Sequence, residues 1–452
     1  MESEYNTAVD LHSIKGDEMD QRRFDRIRAG IEEIPVIDIH THLGTGGMWQ
    51  ARSLADILFY HWLGTELRNA GCPEEICAPK GDSAQAQDAR DRVRLAVPYC
   101  ARIRNTSNYW MFSGLMRDLY GIEGGLTAKN WEKAFDAVAG KATDLFWETE
   151  VLRRARIEKA AVERGCVPRD SSPYFNYSYA EPIYGVGLGD PKATEKMLGR
   201  KVDSRATLDA ALRNTIRRLA RKDAVRALHV WLPASWRYTG IEEREIDRLL
   251  YFWTTGETIS GYEQNCLASF SADICAREAA DHNMVVQLFH GSTAYGRGMQ
   301  VGTWHQDFLR TVIYHVGGNE RTEFDLFLAT RNASHEATSM ARMHTNLMMS
   351  GAWWHGFTPT TITEFFRDRL EMLPMTRWSA FYSDGYCVEW CYGKLLLTKN
   401  MLAVALAQLI EEGLLGDSDA EPIARAVLYE NPRREYLERG IQAGGSSSQA
   451  DD

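Results

Sequence analysis

The chain divides by the spacing of its apolar residues into short continuous runs and longer stretches of helical period. Runs of strand type occur at 34–39, 157–162, 224–233, 283–291, 324–330 and 380–384, and a mixed apolar segment covers 346–354. Between them the period predicts helices over 54–63, 70–150, 241–283, 388–412 and 420–429. Residues 1–30 read as a polar leader that turns helical over 20–27. Residues 168–189 read as a polar, tyrosine-rich connection, and 441–452 as a disordered tail of small polar residues. Strands alternating with helices predict an α/β fold with a parallel sheet. Their recurrence across 31–440 predicts a single (β/α)8 barrel of TIM type with a helical insertion, at about 70–150, after the first strand.

In such a barrel the residues just past the strand ends converge on one mouth, so polar groups at those positions carry the candidate chemistry. The first run ends in Asp38-Ile39-His40-Thr41-His42. Alternate residues of a strand share a face, so His40 and His42 make a ready pair of metal ligands. Later run ends supply Arg237, His290, Arg331, Asn332, Trp353, Trp354 and, at the last, Asp384. Two imidazoles and a carboxylate hold a divalent metal and leave positions open for water or substrate, so His40, His42 and Asp384 are the candidate metal set. His229 lies inside its run and reads as a satisfied core histidine. Glu389 and Lys394 read as ties between the last long helix and its neighbours, and the aromatic stripe from Trp110 to Tyr120 as core.

A formal charge of −10 with no basic block argues against a nucleic-acid partner that works by neutralising phosphates. The first thirty residues hold no apolar signal segment, and no run of about eighteen apolar residues predicts a membrane span. The eight cysteines, at 72, 77, 100, 166, 266, 275, 387 and 391, lack the paired spacing of a zinc knuckle or a disulfide framework, which suits a reducing cytoplasm. Aromatic residues in the helical stretch predict a homo-oligomer.

Several stretches together resemble uronate isomerases of the amidohydrolase superfamily. They are Ile37-Asp38-Ile39-His40-Thr41-His42-Leu43, Leu232-Pro233-Ala234-Ser235-Trp236-Arg237, Gln287-Leu288-Phe289-His290-Gly291, Gly351-Ala352-Trp353-Trp354, Ser383-Asp384, Val388-Glu389-Trp390-Cys391-Tyr392-Gly393-Lys394 and Asn431-Pro432. They run in family order over some 400 residues. The resemblance implies one divalent metal, usually zinc, on His40, His42 and Asp384, and aldose–ketose interconversion of a hexuronate by proton transfer between C1 and C2. It implies Asp384, His61 and Tyr60 as catalytic residues. Arg237, His290, Trp353, Trp354 and Tyr386 would contact the sugar acid, Arg237 by pairing with its carboxylate. The chain departs from the family pattern at four places. Tyr386 stands where an arginine is usual, His61-Trp62 where His-Tyr is usual, Tyr238-Thr239 where Pro-Asp is usual, and Phe289 shifts the histidine of its strand by one position. Arg297, Arg331, Asn332 and His335 are the polar residues near strand ends that would replace the missing arginine. The alternative function is a mononuclear metal-dependent hydrolase of the same superfamily, acting on a sugar derivative or another small polar substrate.

Overall fold

The computed structural model describes residues 20–77, 88–166, 173–179, 190–232, 236–240, 242–295, 299–302 and 306–439. Eight strands make one all-parallel sheet, paired in the order β1 (Val36–Asp38), β2 (Ile157–Glu163), β3 (Tyr174–Tyr179), β4 (Val225–Trp231), β5 (Val285–His290), β8 (Glu323–Leu328), β9 (Leu347–Ser350) and β10 (Trp378–Ser379). A separate antiparallel pair, β6 (Ser292–Tyr295) and β7 (Met299–Gly302), follows β5. Every residue of β5 and β8 is buried, as strands covered on both faces require. The two edges of the sheet meet just past β1 and β10. There the Asp384 N–H donates to the His40 carbonyl at 2.9 Å and the His42 N–H to the Gly385 carbonyl at 2.8 Å. Below them the Ser383 N–H donates to Asp38 Oδ1 at 2.9 Å, so a side chain serves where a ladder bond would be. The curled sheet with its helices is a TIM-like α/β barrel.

Only helices lie between β1 and β2 among the described residues, from Leu54–Leu58 to Trp147–Arg154. The long helix Val388–Glu411 packs against several of them and against the helix Gln21–Glu32. By length and composition alone it could cross a membrane, which the sequence reading did not pick out, yet it is almost wholly buried inside the protein. Here that apolar surface faces protein.

Other departures from expectation have local causes. The expected helix over 54–63 is two, Leu54–Leu58 and His61–Asn69, because His61 takes a φ of 40° and breaks the run. The stretch 241–283 is also two, Glu243–Thr255 closed by Gly256 at φ 78° and Gly261–Asp281 opened by the Ser260 to Glu263 capping box. The polar connection at 168–189 contains β3, a strand the apolar pattern hides because its buried residues are Tyr174, Tyr177 and Ser178. The run at 380–384 is not itself a strand; the paired strand, β10, is Trp378–Ser379 just before it. Most of the expected leader, 1–19, and the expected tail lie outside the described residues, as do Pro233, Ala234, Ser235 and Arg297.

Candidate metal centre

His40 and His42 leave the end of β1 and meet Asp384, which comes just past β10. The His40 Nε2 lies 3.4 Å and the His42 Nε2 2.9 Å from Asp384 Oδ1, and all three side chains are buried. Ligand atoms about 2.0 Å from a tetrahedral zinc are about 3.3 Å from one another, so this spacing accepts the ion. The tautomers also fit. His40 Nδ1 is 3.0 Å from Gln287 Oε1, an acceptor, so its proton sits on Nδ1 and the lone pair on Nε2. That Nε2 is buried and has no hydrogen-bond partner among the described residues. Gln287 is fixed in turn, its Nε2 donating to the Ile39 carbonyl at 2.9 Å and to the Tyr436 hydroxyl at 3.2 Å. His42 Nδ1 is 2.7 Å from the Tyr179 hydroxyl, which again turns Nε2 toward the carboxylate.

Asp384 sits at a φ of 52°, a left-handed backbone that costs a residue with a Cβ about 1–3 kcal/mol. Its neighbours hold it there. Besides the bond to His40, its carbonyl accepts from Trp354 Nε1 at 3.2 Å and from the Tyr60 hydroxyl at 3.4 Å. The Tyr60 hydroxyl also accepts the Tyr386 N–H at 3.1 Å. Trp353 Nε1 donates to Asp384 Oδ2 at 2.9 Å, leaving Oδ1 for the histidines. Burial pushes the Asp384 carboxyl up, but the His40 and His42 imidazoles outweigh it and hold the group well below the usual carboxylate range. Burial lowers the basicity of His40, with Asp384 opposing. An ionised carboxylate is the ligand state a divalent metal needs.

Of the other expected residues, Tyr60, His61, Trp353, Trp354 and Tyr386 stand around this cluster. Tyr386 stacks on the His42 ring at 4.5 Å, and burial, then Asp384, pushes its hydroxyl up to about 12. His61 is exposed at the mouth and stacks on Trp354 at 5.4 Å. Trp353 packs edge-on to Phe289 at 5.1 Å. Arg237 follows β4 and His290 is the last residue of β5; burial first, and then the Arg237 charge, lowers His290 far below its ordinary basicity. Arg331 and His335 pair at the surface with Glu364 and Asp368.

His229 differs from expectation. It packs edge-on to His40 at 4.7 Å, and neither of its ring nitrogens has a hydrogen-bond partner among the described residues, so it is not a satisfied core histidine. The sequence reading also missed Gln287 and Tyr179 as groups that orient the ligands. The signal available was the period-two spacing of Tyr177 with Tyr179 and of Gln287 with Phe289, which turns each onto the barrel's inner face.

No protein-family model matches the chain. The curated uronate isomerase of Brucella canis is 23% identical over 454 residues, covering 91% of this chain and 95% of that protein. The solved glucuronate isomerase of Caulobacter crescentus superposes with a TM-score of 0.79 at 17% identity, covering 98% of each chain. The uronate isomerase of Thermotoga maritima gives 0.79 at 14% identity over 93% of this chain and 98% of its own. The chain is uronate isomerase-like. In this uronate isomerase-like chain the similarity extends over nearly the full length of each relative, so it takes in both edges of the barrel, where His40, His42 and Asp384 stand.

Proposed function

We propose that the chain interconverts the aldose and ketose forms of a hexuronate, of glucuronate or galacturonate type, with one zinc ion held by His40, His42 and Asp384. The observation that carries this reading is the near full-length similarity to curated uronate isomerases, joined to a buried His–His–carboxylate cluster at the barrel mouth. It does not favour the hydrolase alternative. A divalent metal held there supplies polarisation of the substrate carbonyl and the adjacent hydroxyl.

The protein's own groups divide the remaining work. Asp384 takes the proton from C2 of the aldose and returns it to C1, while a proton passes from O2 to O1; the carbon skeleton and the atom count are unchanged. His61, open to the mouth, relays the proton between the oxygens. Tyr60 acts by position, since its hydroxyl is engaged by the backbone of Asp384 and Tyr386. Arg237 pairs with the substrate carboxylate, His290 lies beside it, and Trp353, Trp354 and Tyr386 wall the pocket against water. The same reading takes 31–440 as one barrel domain of a cytoplasmic protein and the helices at about 70–150 as an insertion over the site. Leu145 and Phe146, 65% and 78% exposed, are surface that a second copy in a homo-oligomer would cover.

The test is metal analysis of the purified protein beside proton NMR of D-glucuronate and D-galacturonate in heavy water. Conversion of either acid with deuterium entering at the transferred position, lost in Asp384→Asn, is the expected result. Bound zinc with no conversion of either acid would sink the isomerase reading.

A further inference from the structure

The helix Val388–Glu411 carries Lys394 into the interior with no exposed surface. Its Nζ has no hydrogen-bond partner among the described residues. The ammonium lies instead 4.4 Å from the centre of the Trp354 ring, 4.5 Å from Phe357 and 4.9 Å from Tyr382. Aromatic faces attract a cation, but a buried charge without hydrogen bonds still loses more hydration than ring faces return. A methionine would fill the same volume without that loss. A local rule broken at such cost inside a well-packed fold points to a functional site.

The three rings lead to the metal cluster. Trp354 holds the Asp384 carbonyl through its indole N–H and carries the stacked His61 ring. Tyr382 packs edge-on to His40 at 6.5 Å and against Phe327 at 4.6 Å. Its ring lies so close to Gly351, at φ 37°, that a Cβ there would stand 2.5 Å from Tyr382 Cδ1. Phe357 bears on Trp354 at 6.0 Å. Lys394 thus sits behind the site, between a ring that bonds the backbone of one ligand and a ring that packs on another. The Lys394 Nζ is hydrogen-bonded to neither the Asp384 nor the Asp38 carboxyl group.

We propose that Lys394 is a positioning residue for this site: its ammonium, caged by Trp354, Phe357 and Tyr382, fixes the indole that holds Asp384. The proposal rests on reading His40, His42 and Asp384 as the metal site of an isomerase. It separates what lysine does for the site from what it does for the fold, because the two predict opposite changes when the charge is removed.

The experiment compares wild type, Lys394→Met and Lys394→Arg by zinc titration, by the thermal midpoint of the metal-free protein and by the NMR isomerisation assay. In Lys394→Met we expect the metal-free midpoint to hold or rise and zinc affinity to fall about tenfold, the scale on which residues behind metal ligands act. The same variant lowers kcat with KM little changed, and Lys394→Arg, which restores a cation, recovers part of the zinc affinity. Unchanged zinc affinity in Lys394→Met overturns the proposal, whatever the midpoint does. So does loss of folding in both Lys394→Met and Lys394→Leu, since the lysine would then be a packing element. If wild type isomerises neither acid, the proposed reaction fails, and the zinc titration still decides the role of Lys394.

Discussion

His40 can offer Nε2 to a metal only in the tautomer that carries its proton on Nδ1, and Gln287 selects that tautomer with an amide oxygen 3.0 Å away. The amide cannot turn over to present its nitrogen, because that nitrogen is committed to the Ile39 carbonyl and the Tyr436 hydroxyl. Replacing Gln287 by leucine keeps the volume near that of the amide and removes the acceptor. We expect Gln287→Leu to weaken zinc binding by about 10- to 100-fold, the usual range for a group behind a metal ligand. Competition with a chelator of known affinity measures it. Zinc affinity equal to wild type would show that the packing of the His40 ring, with Tyr177 at 4.6 Å and Phe289 at 4.6 Å, orients it without help. His42 is a weaker test of the same idea, because Tyr179 is only partly buried and water can take over from its hydroxyl.

The elements were legible where burial alone decides them. β5 and β8 were evident as apolar runs of strand length, since both faces of a parallel barrel strand are covered. β3 was not, because it places tyrosines inward and satisfies them with partners far away in sequence: Tyr177 donates to the Thr41 carbonyl at 2.8 Å. The spacing of His40 and His42 was readable because a strand has period two, and Asp384 because it ends an apolar run. Gln287, Tyr179, His229 and Lys394 escaped because their roles depend on neighbours brought in by other strands or by a distant helix. Asp325 on β8 belongs to this hidden class. It accepts from Tyr436 at 2.6 Å and from Ser350 at 2.7 Å, yet burial, the larger effect, pushes its carboxyl up to about 7 from 3.8. Between those two values the folded chain holds a proton at Asp325 that the unfolded chain has lost, so stability falls as pH rises from about 4 to about 7. Asp38, also pushed up to about 7 by burial, slopes the same way. Asp325→Asn keeps an acceptor for both hydroxyls and cannot ionise, so its stability should fall less between pH 5 and pH 8 than that of wild type. The gap is on the order of 2–4 kcal/mol for a shift of this size. Urea unfolding of the metal-free proteins at the two pH values measures it, and equal losses in both would mean that Asp325 titrates near its ordinary range when folded.

At the scale of the whole molecule the candidate metal lies on the seam that closes the barrel. Two ligands follow β1, the third follows β10, and these first and last strands of the sheet meet there through two backbone bonds past their ends, beside the Asp38 side chain that accepts from Ser383. β10 itself pairs with β9 over only two residues, so this side of the sheet has the fewest ladder bonds and the most to gain from a bound ion. Zinc that binds the folded chain and not the unfolded one stabilises it by mass action, about 2.7 kcal/mol when free zinc is one hundred times its dissociation constant. We expect the thermal midpoint to rise by a few degrees on adding zinc and to return on chelation. In Asp384→Asn, which keeps both histidines but replaces the anionic ligand, the rise should be lost. Hydrogen exchange adds the spatial test, because a metal on the seam slows exchange first at the Asp384, His42 and Ser383 amides, on both sides of the closure. Slowing confined to one side, or a midpoint rise that survives Asp384→Asn, would place the zinc elsewhere in the protein. The effect should also fade in acid, where protons compete with the metal for its ligands.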